Sequence, residues 1–211
     1  MRLTYVNLVA ILFFGCSNEY KRQVVNLGLN KEKAYLIFRG TNTKEGFFAR
    51  EFNIKDTLSS HVGFTLFDSS RWNVFHVLEN KNSTTDYNVE ILDGFLNKEK
   101  NKVFYYSLWE IESLKLEEID SLRKIIKRYK SKKITFDKNF SHKDSTKLDC
   151  SEFICEALNK INSDKFNFEF HKRELKGIYK TYFKKDTLEY YPVDMFQSNA
   201  NFKFFFEWNN Q

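Results

Sequence analysis

The sequence predicts an α+β protein in which a strand-rich first half and a strand-rich tail flank two helices. Short apolar runs bounded by polar turns occupy residues 34–108, as is typical of β-strands. Two later segments, 116–129 and 150–162, instead repeat apolar residues at helical spacing. Aromatic-rich segments and an apolar run at 202–208 close the chain. This order predicts an antiparallel sheet, or a small barrel, packed on two or more helices.

The strands of the first half are the best defined by alternation and by turn residues. We predict them at 34–38, 61–67, 73–79, 88–92 and 102–108, with a polar loop or irregular strand over 41–60. The run Asp68-Ser69-Ser70-Arg71 is a turn, so the second and third strands form an antiparallel pair.

The second helix begins at a cysteine. Asp149 is a good N-cap residue and Glu152 follows three positions later, which is the spacing of a capping box. Cys150 then lies in the first helical turn, where the positive end of the helix dipole favours a thiolate, the nucleophilic form. The alternative is that Cys150 is a small buried hydrophobic residue.

Composition and charge restrict the function. The 211 residues suit one domain with a core, and 42% hydrophobic residues exclude a disordered chain. The net charge of +6 comes from 34 basic and 28 acidic residues that are interleaved, as on a solvated surface. We therefore predict no nucleic-acid partner.

The first sixteen residues are typical of an export signal. Arg2 precedes an apolar run at 8–14 that ends in Gly15-Cys16, which resembles a bacterial lipobox although Phe13 and Phe14 are unusual there. We predict a lipoprotein signal peptide over 1–16, acylation of Cys16, and a polar tether over 17–33. The protein would then be lipid-anchored in a bacterial cell envelope. An ordinary signal peptide and a buried N-terminal strand are the alternatives.

The chain has three cysteines. Cys150 and Cys155 lie five residues apart on one predicted helix and point to different sides, which disfavours a disulfide. Cys155 is predicted to belong to the core. No cysteine or histidine spacing indicates a zinc site, and we predict neither a metal nor a cofactor.

A nucleophilic cysteine needs a base and a group that orients it. His61 is the best of four histidines because it begins a strand and is followed by Val62-Gly63, where a substrate can approach. His76 lies mid-strand, and His142 and His171 lie in loops or charged segments. Glu79 ends the strand after His61 and is the predicted orienting group, although a glutamate there is more often a solvated charge.

The order of these segments resembles a known family. Ser60-His61-Val62-Gly63, Val77-Leu78-Glu79, Phe136-Asp137 with Phe140, and Cys150-Ser151-Glu152-Phe153-Ile154 are similar to motifs of the circularly permuted NlpC-type papain-like hydrolases, the YiiX/YebB-like group. The ending Tyr191-Pro192-Val193-Asp194 also resembles that group, and the similarity covers about residues 34–197.

The resemblance implies a permuted papain-like domain over 34–211 with Cys150 as nucleophile, His61 as base and Glu79 as orienting residue. The chain departs from the pattern at Ala34-Tyr35, at Asn80 and at Asp149, so either Glu79 or Asn80 could orient the base. The implied substrate is a peptide amide of the cell envelope, such as peptidoglycan. An acyl or lipid amide or ester hydrolase, an acyltransferase, and a non-catalytic envelope-binding lipoprotein are the alternatives.

Overall fold

Six strands form one antiparallel sheet in the computed structural model, which describes residues 27–97, 102–142 and 144–210. In chain order, the strands are β1 (Ala34–Thr41), β2 (His61–Asp68), β3 (Arg71–Val77), β4 (Tyr87–Ile91), β5 (Val103–Ile111), β6 (Thr135–Phe136), β7 (Lys147–Leu148), β8 (His171–Glu174), β9 (Thr187–Tyr190) and β10 (Phe202–Asn209). The helices are α1 (Lys44–Glu51), α2 (Leu92–Phe95), α3 (Leu116–Tyr129), α4 (Cys150–Asn159) and α5 (Gly177–Phe183), with a 3-10 helix at Val193–Ser198. The large sheet runs in the order β10-β5-β1-β2-β3-β4.

The predicted α+β class is confirmed. The five predicted strands of the first half correspond to β1–β5, the two predicted helices to α3 and α4, and the last predicted strand to β10. Helix α1 was not predicted, because 41–60 was interpreted as loop or irregular strand. Thr43 starts this helix by accepting a hydrogen bond from the Gly46 N–H at 3.0 Å, which satisfies one unpaired donor of its first turn.

Helices cover both faces of the sheet. On one face, Val62 and Phe64 of β2 pack in the main core with α3 and α4, and the Phe153 ring of α4 lies 5.6 Å from that of Phe64. On the other face, Ile37 and Val74 pack with Phe95 of α2 and its neighbours. Because side chains alternate along a strand, consecutive residues of β2 serve different cores.

The loop before β2 is held by a buried carboxylate. Asp194, in the 3-10 helix, accepts hydrogen bonds from the N–H groups of Ile54, Lys55 and Asp56 at 2.6–3.0 Å. Gln197 donates to Asp56 and to the Ser59 hydroxyl. The C-terminal part of the chain thereby fixes the position at which β2 begins.

The predicted signal peptide, Cys16 and the tether up to residue 26 lie outside the described residues. Within 27–97, 102–142 and 144–210, no helix is both long enough and apolar enough to cross a membrane.

Candidate active site

Cys150 occupies the first position of α4, as predicted. Asp149 caps the helix: its carboxylate accepts from the N–H groups of Ser151 at 2.7 Å and Glu152 at 2.9 Å. In turn, the Glu152 carboxylate accepts a hydrogen bond from the Asp149 N–H at 2.9 Å. The capping box is therefore confirmed, and it fixes the backbone that carries the thiol.

The thiol lies against the start of β2. Cys150 packs in the same core as Val62, and the Val62 backbone N–H is directed at its sulfur. Val62 follows His61, so α4 lies against the start of the strand that carries the predicted base. Because side chains alternate along β2, the His61 ring lies on the opposite face from Val62, where it contacts Phe95 of α2. In the described part of the chain, no hydrogen bond joins the Cys150 thiol to the His61 ring.

The protonation of Cys150 differs from the prediction. Burial, followed by the negative charge of Asp149, raises the pKa of the Cys150 thiol to about 12, while hydrogen bonds from the Val62 and Ser151 backbones act in the opposite direction. Cys150 is only 7% exposed. The raised pKa of the thiol does not support the expected helix-stabilised thiolate, because desolvation outweighs the helix dipole.

The His61 ring is held by a second histidine. His61 Nε2 and His76 Nδ1 are 2.9 Å apart, and His76 Nε2 lies 3.1 Å from Glu90 Oε1. His61 and His76 are 4% and 0% exposed. Three side chains from β2, β3 and β4 thus form one hydrogen-bonded chain, which we call the His61–His76–Glu90 chain.

The register of the hairpin creates this contact. Asp68 pairs with Arg71 and Phe64 with Phe75, and continuing the register by one residue puts His76 opposite Gly63. A Cβ on Gly63 would lie 3.0 Å from the Cβ of His76. The missing side chain therefore lets His76 approach His61 on the same face of the sheet.

The hydrogen bonds of the His61–His76–Glu90 chain fix the tautomers of both histidines. A carboxylate only accepts, so Glu90 receives the proton of His76 Nε2, and His76 Nδ1 is then an acceptor. His61 must donate from Nε2 to His76. This leaves His61 Nδ1 as the nitrogen with a free lone pair, which is the form that a general base requires.

Burial disfavours the charged form of both histidines. Burial lowers the pKa of His61 well below its usual value, and the charges of His76 and Arg39 lower it further. Burial also lowers the pKa of His76, against the raising effect of its hydrogen bond to Glu90.

Glu79 and Asn80 are placed elsewhere. The Glu79 carboxylate pairs with Lys138 Nζ at 2.7 Å, in a half-exposed contact. Asn80 bonds to Asp86 and Asn88 in the β3–β4 connection. The hydrogen-bond partner of the His61 ring is His76, and Glu79, the predicted orienting residue, pairs with Lys138 instead. The two-residue turn at 69–70 could have revealed the contact between His76 and His61, because such a turn fixes the register across the whole hairpin.

The other two histidines do not join this chain. His142 bonds through Nδ1 to Glu152 and through Nε2 to the Glu189 carbonyl oxygen, and its ring stacks on Phe170. Burial lowers the pKa of His142, but the contacts with Glu152 and Glu189 raise it overall. His171 lies at 5.4 Å from the Tyr190 ring.

A cleft of about 500 Å³ adjoins α4 on the side of Cys155. Its aromatic wall consists of Phe166, Phe168, Phe170 and Tyr191. Cys155 is buried and free, as is Cys150, so the predicted absence of a disulfide between them agrees with the structure. Burial raises the pKa of Cys155 well above its usual value.

Among the described residues, no group of three or more His, Cys, Asp or Glu side chains is arranged to hold a metal ion. Three of the four ring nitrogens of His61 and His76 take part in the hydrogen bonds of the His61–His76–Glu90 chain.

Comparison with solved structures shows a likeness in fold. No protein-family model matches the sequence, and no curated protein does. The crystal structure of YiiX from Escherichia coli O157:H7, described as a metalloprotein, matches with a TM-score of 0.62 over 82% of this chain and 94% of that one, at 17% identity. The chain has a YiiX-like fold. At this identity, the likeness to YiiX shows the fold and not the activity.

Proposed function

We propose that the protein is a thiol hydrolase that cleaves an amide bond, with Cys150 as nucleophile and His61 as general base. The observation that carries the proposal is the His61–His76–Glu90 chain, which leaves a lone pair on His61 Nδ1 at the start of the strand against which the thiol packs. The YiiX-like fold and the motif resemblance to permuted papain-like hydrolases support it. His76 replaces Glu79 as the orienting residue, with Glu90 behind it.

The proposed reaction begins with an uncharged Cys150 thiol and an uncharged His61 ring. His61 Nδ1 takes the thiol proton as the Cys150 sulfur attacks the carbonyl carbon, and the carbonyl oxygen becomes an oxyanion. The C–N bond then breaks, and the leaving amine takes the proton from His61. Water attacks the resulting thioester, gives a proton to His61, and releases the acid as the proton returns to sulfur. No preformed thiolate–imidazolium pair is required, in agreement with the raised pKa of the Cys150 thiol and the lowered pKa of His61.

The start of α4 supplies the donor for the oxyanion. The N–H groups of Ser151, Glu152 and Phe153 already donate to Asp149. We assign the oxyanion to the N–H of Cys150 itself, at the positive end of the helix. The mechanism requires the thiol and His61 Nδ1 to reach hydrogen-bonding distance in the substrate complex, where such contacts tighten.

A second candidate is hydrolysis or transfer of an acyl group from a lipid-like amide or ester. The aromatic wall beside α4, formed by Phe166, Phe168, Phe170 and Tyr191, is the observation that favours it, because an acyl chain could lie along these rings.

We also propose the envelope location, with Cys16 as the lipid anchor. YiiX is described as a metalloprotein. In the His61–His76–Glu90 chain, three of the four ring nitrogens take part in hydrogen bonds within the chain, and the described residues contain no cluster suited to a metal ion, so the proposed chemistry uses none.

A thiol-directed screen tests the proposal. Muropeptides and long-chain acyl amides are offered to the wild type, to Cys150→Ala and to Cys155→Ala, and released amine is measured. We expect turnover by the wild type and by Cys155→Ala, and none by Cys150→Ala with an unchanged thermal midpoint. Hydrolysis of muropeptides supports the amidase, and hydrolysis of acyl amides supports the second candidate. Equal turnover by Cys150→Ala would contradict both.

A further inference from the structure

Helix α5 lies on the surface and exposes apolar side chains. None of its residues is buried. Ile178 and Tyr182 are four positions apart, on one face of the helix, and are 69% and 62% exposed. Tyr179 and Phe183 lie on the neighbouring face and pack against the small core that contains Phe52. The helix therefore presents apolar residues to solvent as well as to the protein.

Helix α1 extends this surface. The Phe48 ring lies 5.6 Å from that of Tyr179 and 5.7 Å from that of Tyr182. Phe47, the preceding residue, is 53% exposed. We call Phe47, Phe48, Ile178 and Tyr182 the α1–α5 patch. An exposed apolar patch of this kind, when polar residues surround it, is typical of a surface that contacts another molecule or a membrane.

Basic residues surround the α1–α5 patch. The segment 172–185, which includes α5, has six basic residues and one acidic residue, which gives it a net charge of +5. Arg173 and Lys185 donate to backbone carbonyl oxygens, which do not neutralise their charges. Ion pairs whose side chains are all more than half exposed join Lys172 to Glu189, Lys176 to Glu174 and Lys180 to Asp186. Such exposed pairs are weak, so these lysines are free to exchange their partners.

The combination of apolar and basic side chains fits an anionic membrane surface. Aromatic rings are favoured at the level of the lipid headgroups, and long lysine side chains beside them can reach the phosphates. A stable protein interface takes about 20–30 residues from each partner, which the four residues of the α1–α5 patch do not supply. In the stretch 123–133, all of which the structure describes, the charge is also strongly positive but no large apolar side chain is exposed.

We propose that the α1–α5 patch docks on a membrane that contains anionic phospholipids, with Ile178 and Tyr182 among the headgroups and the surrounding lysines on their phosphates. The contact is peripheral and does not require acylation of Cys16. It is weaker than a lipid anchor and is screened by salt. An acylated Cys16 would hold the domain at the bilayer, where a weak contact is enough to orient it.

Hydroxyl-radical footprinting of the full chain tests this without any variant. The protein is mixed at low ionic strength with an excess of vesicles of phosphatidylcholine, alone or with an equal amount of phosphatidylglycerol, and oxidation is read by peptide mass spectrometry. We expect the anionic vesicles to protect Tyr182 and Phe47, and high salt to remove the protection. Phe204 and Val89, exposed on the two edge strands of the large sheet, should be oxidised equally with both kinds of vesicle.

Removal of lysines tests the electrostatic part. Lys176→Gln/Lys184→Gln should weaken the affinity for anionic vesicles, measured from the lipid dependence of Tyr182 protection, by about fivefold for each lysine removed. Lys124→Gln/Lys130→Gln is the matched control, because it removes the same charge from exposed positions of the basic stretch of α3. It should leave the affinity unchanged.

Removal of an exposed aliphatic side chain tests the apolar part. Ile178→Ser should weaken the same affinity, and Leu116→Ser should not, because Leu116 is 60% exposed at the start of α3, outside the patch. The apolar run at 8–14 is present in every sample, so it does not affect these comparisons.

Three results overturn the proposal. The first is equal oxidation of Tyr182 with both kinds of vesicle, and the second is an equal loss of affinity in the α3 control and in Lys176→Gln/Lys184→Gln. The third is protection of Tyr182 that increases with protein concentration in the absence of vesicles, because a second copy of the chain would then cover the patch. The first and third come from the wild type, so they do not depend on how well a variant folds. None involves Cys150, so the proposed hydrolase is tested separately.

Discussion

At the scale of residues, the candidate site consists of groups that are kept uncharged by burial. Burial raises the pKa of the Cys150 thiol and lowers the pKa of His61 and of His76, which favours the uncharged form of each group. Their order is imposed by hydrogen bonds that end on the carboxylate of Glu90. In such a site, the tautomer of each histidine decides which ring nitrogen holds a lone pair.

The role of His76 is testable by substitution. His76→Phe keeps the buried volume but removes the acceptor for His61 Nε2, so His61 loses its fixed tautomer. We expect kcat/KM to fall by about 100-fold, at the lower end of what acid–base catalysis contributes. Glu79→Gln is the control and should change kcat/KM by less than about twofold, because it removes only a surface ion pair. An equal loss in both variants would restore Glu79 as the orienting residue.

The buried histidines also predict a pH dependence of stability. The folded-state pKa values of His61 and His76 lie below the unfolded value, so their stabilising contribution is lost as the pH falls below about 6.5. Asp149 has the opposite effect on the stability of the folded protein. Burial raises its pKa to about 7, so the folded form binds the proton more tightly and is stabilised as the pH falls. The contribution of His76 is therefore measured as a difference between the wild type and His76→Phe.

Urea denaturation at several pH values gives that difference. The quantity of interest is the free energy of unfolding of His76→Phe minus that of the wild type. We expect this difference to increase by up to about 1.4 kcal/mol for each pH unit below about 6.5. His142 does not contribute to the pH dependence of the free energy of unfolding far below pH 6.5. Its raised pKa keeps it protonated there in both the folded and the unfolded state. A difference that does not vary with pH would mean that His76 is charged in the folded protein.

At the scale of elements, α4 has two opposing effects on its first residue. Its capping box places Cys150 at the positive end of the helix, but the capping carboxylate of Asp149 raises the pKa of the thiol. The capping box that positions the Cys150 thiol therefore also favours its protonated form.

Asp149→Asn separates the two effects. Asparagine caps a helix about as well as aspartate but carries no charge. We expect the pKa of Cys150, measured from the pH dependence of iodoacetamide alkylation, to fall in this variant, while Asp149→Ala loses about 1 kcal/mol of stability with the cap. An unchanged alkylation profile in Asp149→Asn would show that burial alone sets the pKa.

At the scale of the whole molecule, the C-terminal part closes around the N-terminal hairpin. Asp194 fixes the loop that leads into β2, and β10 pairs with β5 at the far edge of the sheet. The described domain begins directly after the predicted tether. The proposed anchor would hold this domain at a membrane surface by hydrocarbon burial.

The anchor is tested by Cys16→Ser in a bacterial host. We expect the wild type to incorporate radiolabelled palmitate and to sediment with membranes, and Cys16→Ser to do neither, because acylation requires the thiol. Cys155→Ser is the control and should behave as the wild type. Membrane association of Cys16→Ser without label would indicate an uncleaved apolar signal instead.

The sequence by itself determined the local features of this protein. Alternation located the strands, helical spacing located α3 and α4, and the Asp149–Glu152 pair placed Cys150 at a helix start. These features depend on residues that are close along the chain, so their pattern is visible without a structure.

Only the tertiary structure decided which groups meet and how they are charged. The hairpin register selected His76 over Glu79, and the approach of α4 to β2 buried Cys150 and raised its pKa. Arg39 gained its place beside His61 through the pairing of β1 with β2. Register and desolvation arise from contacts between residues distant in sequence, and no local pattern encodes them.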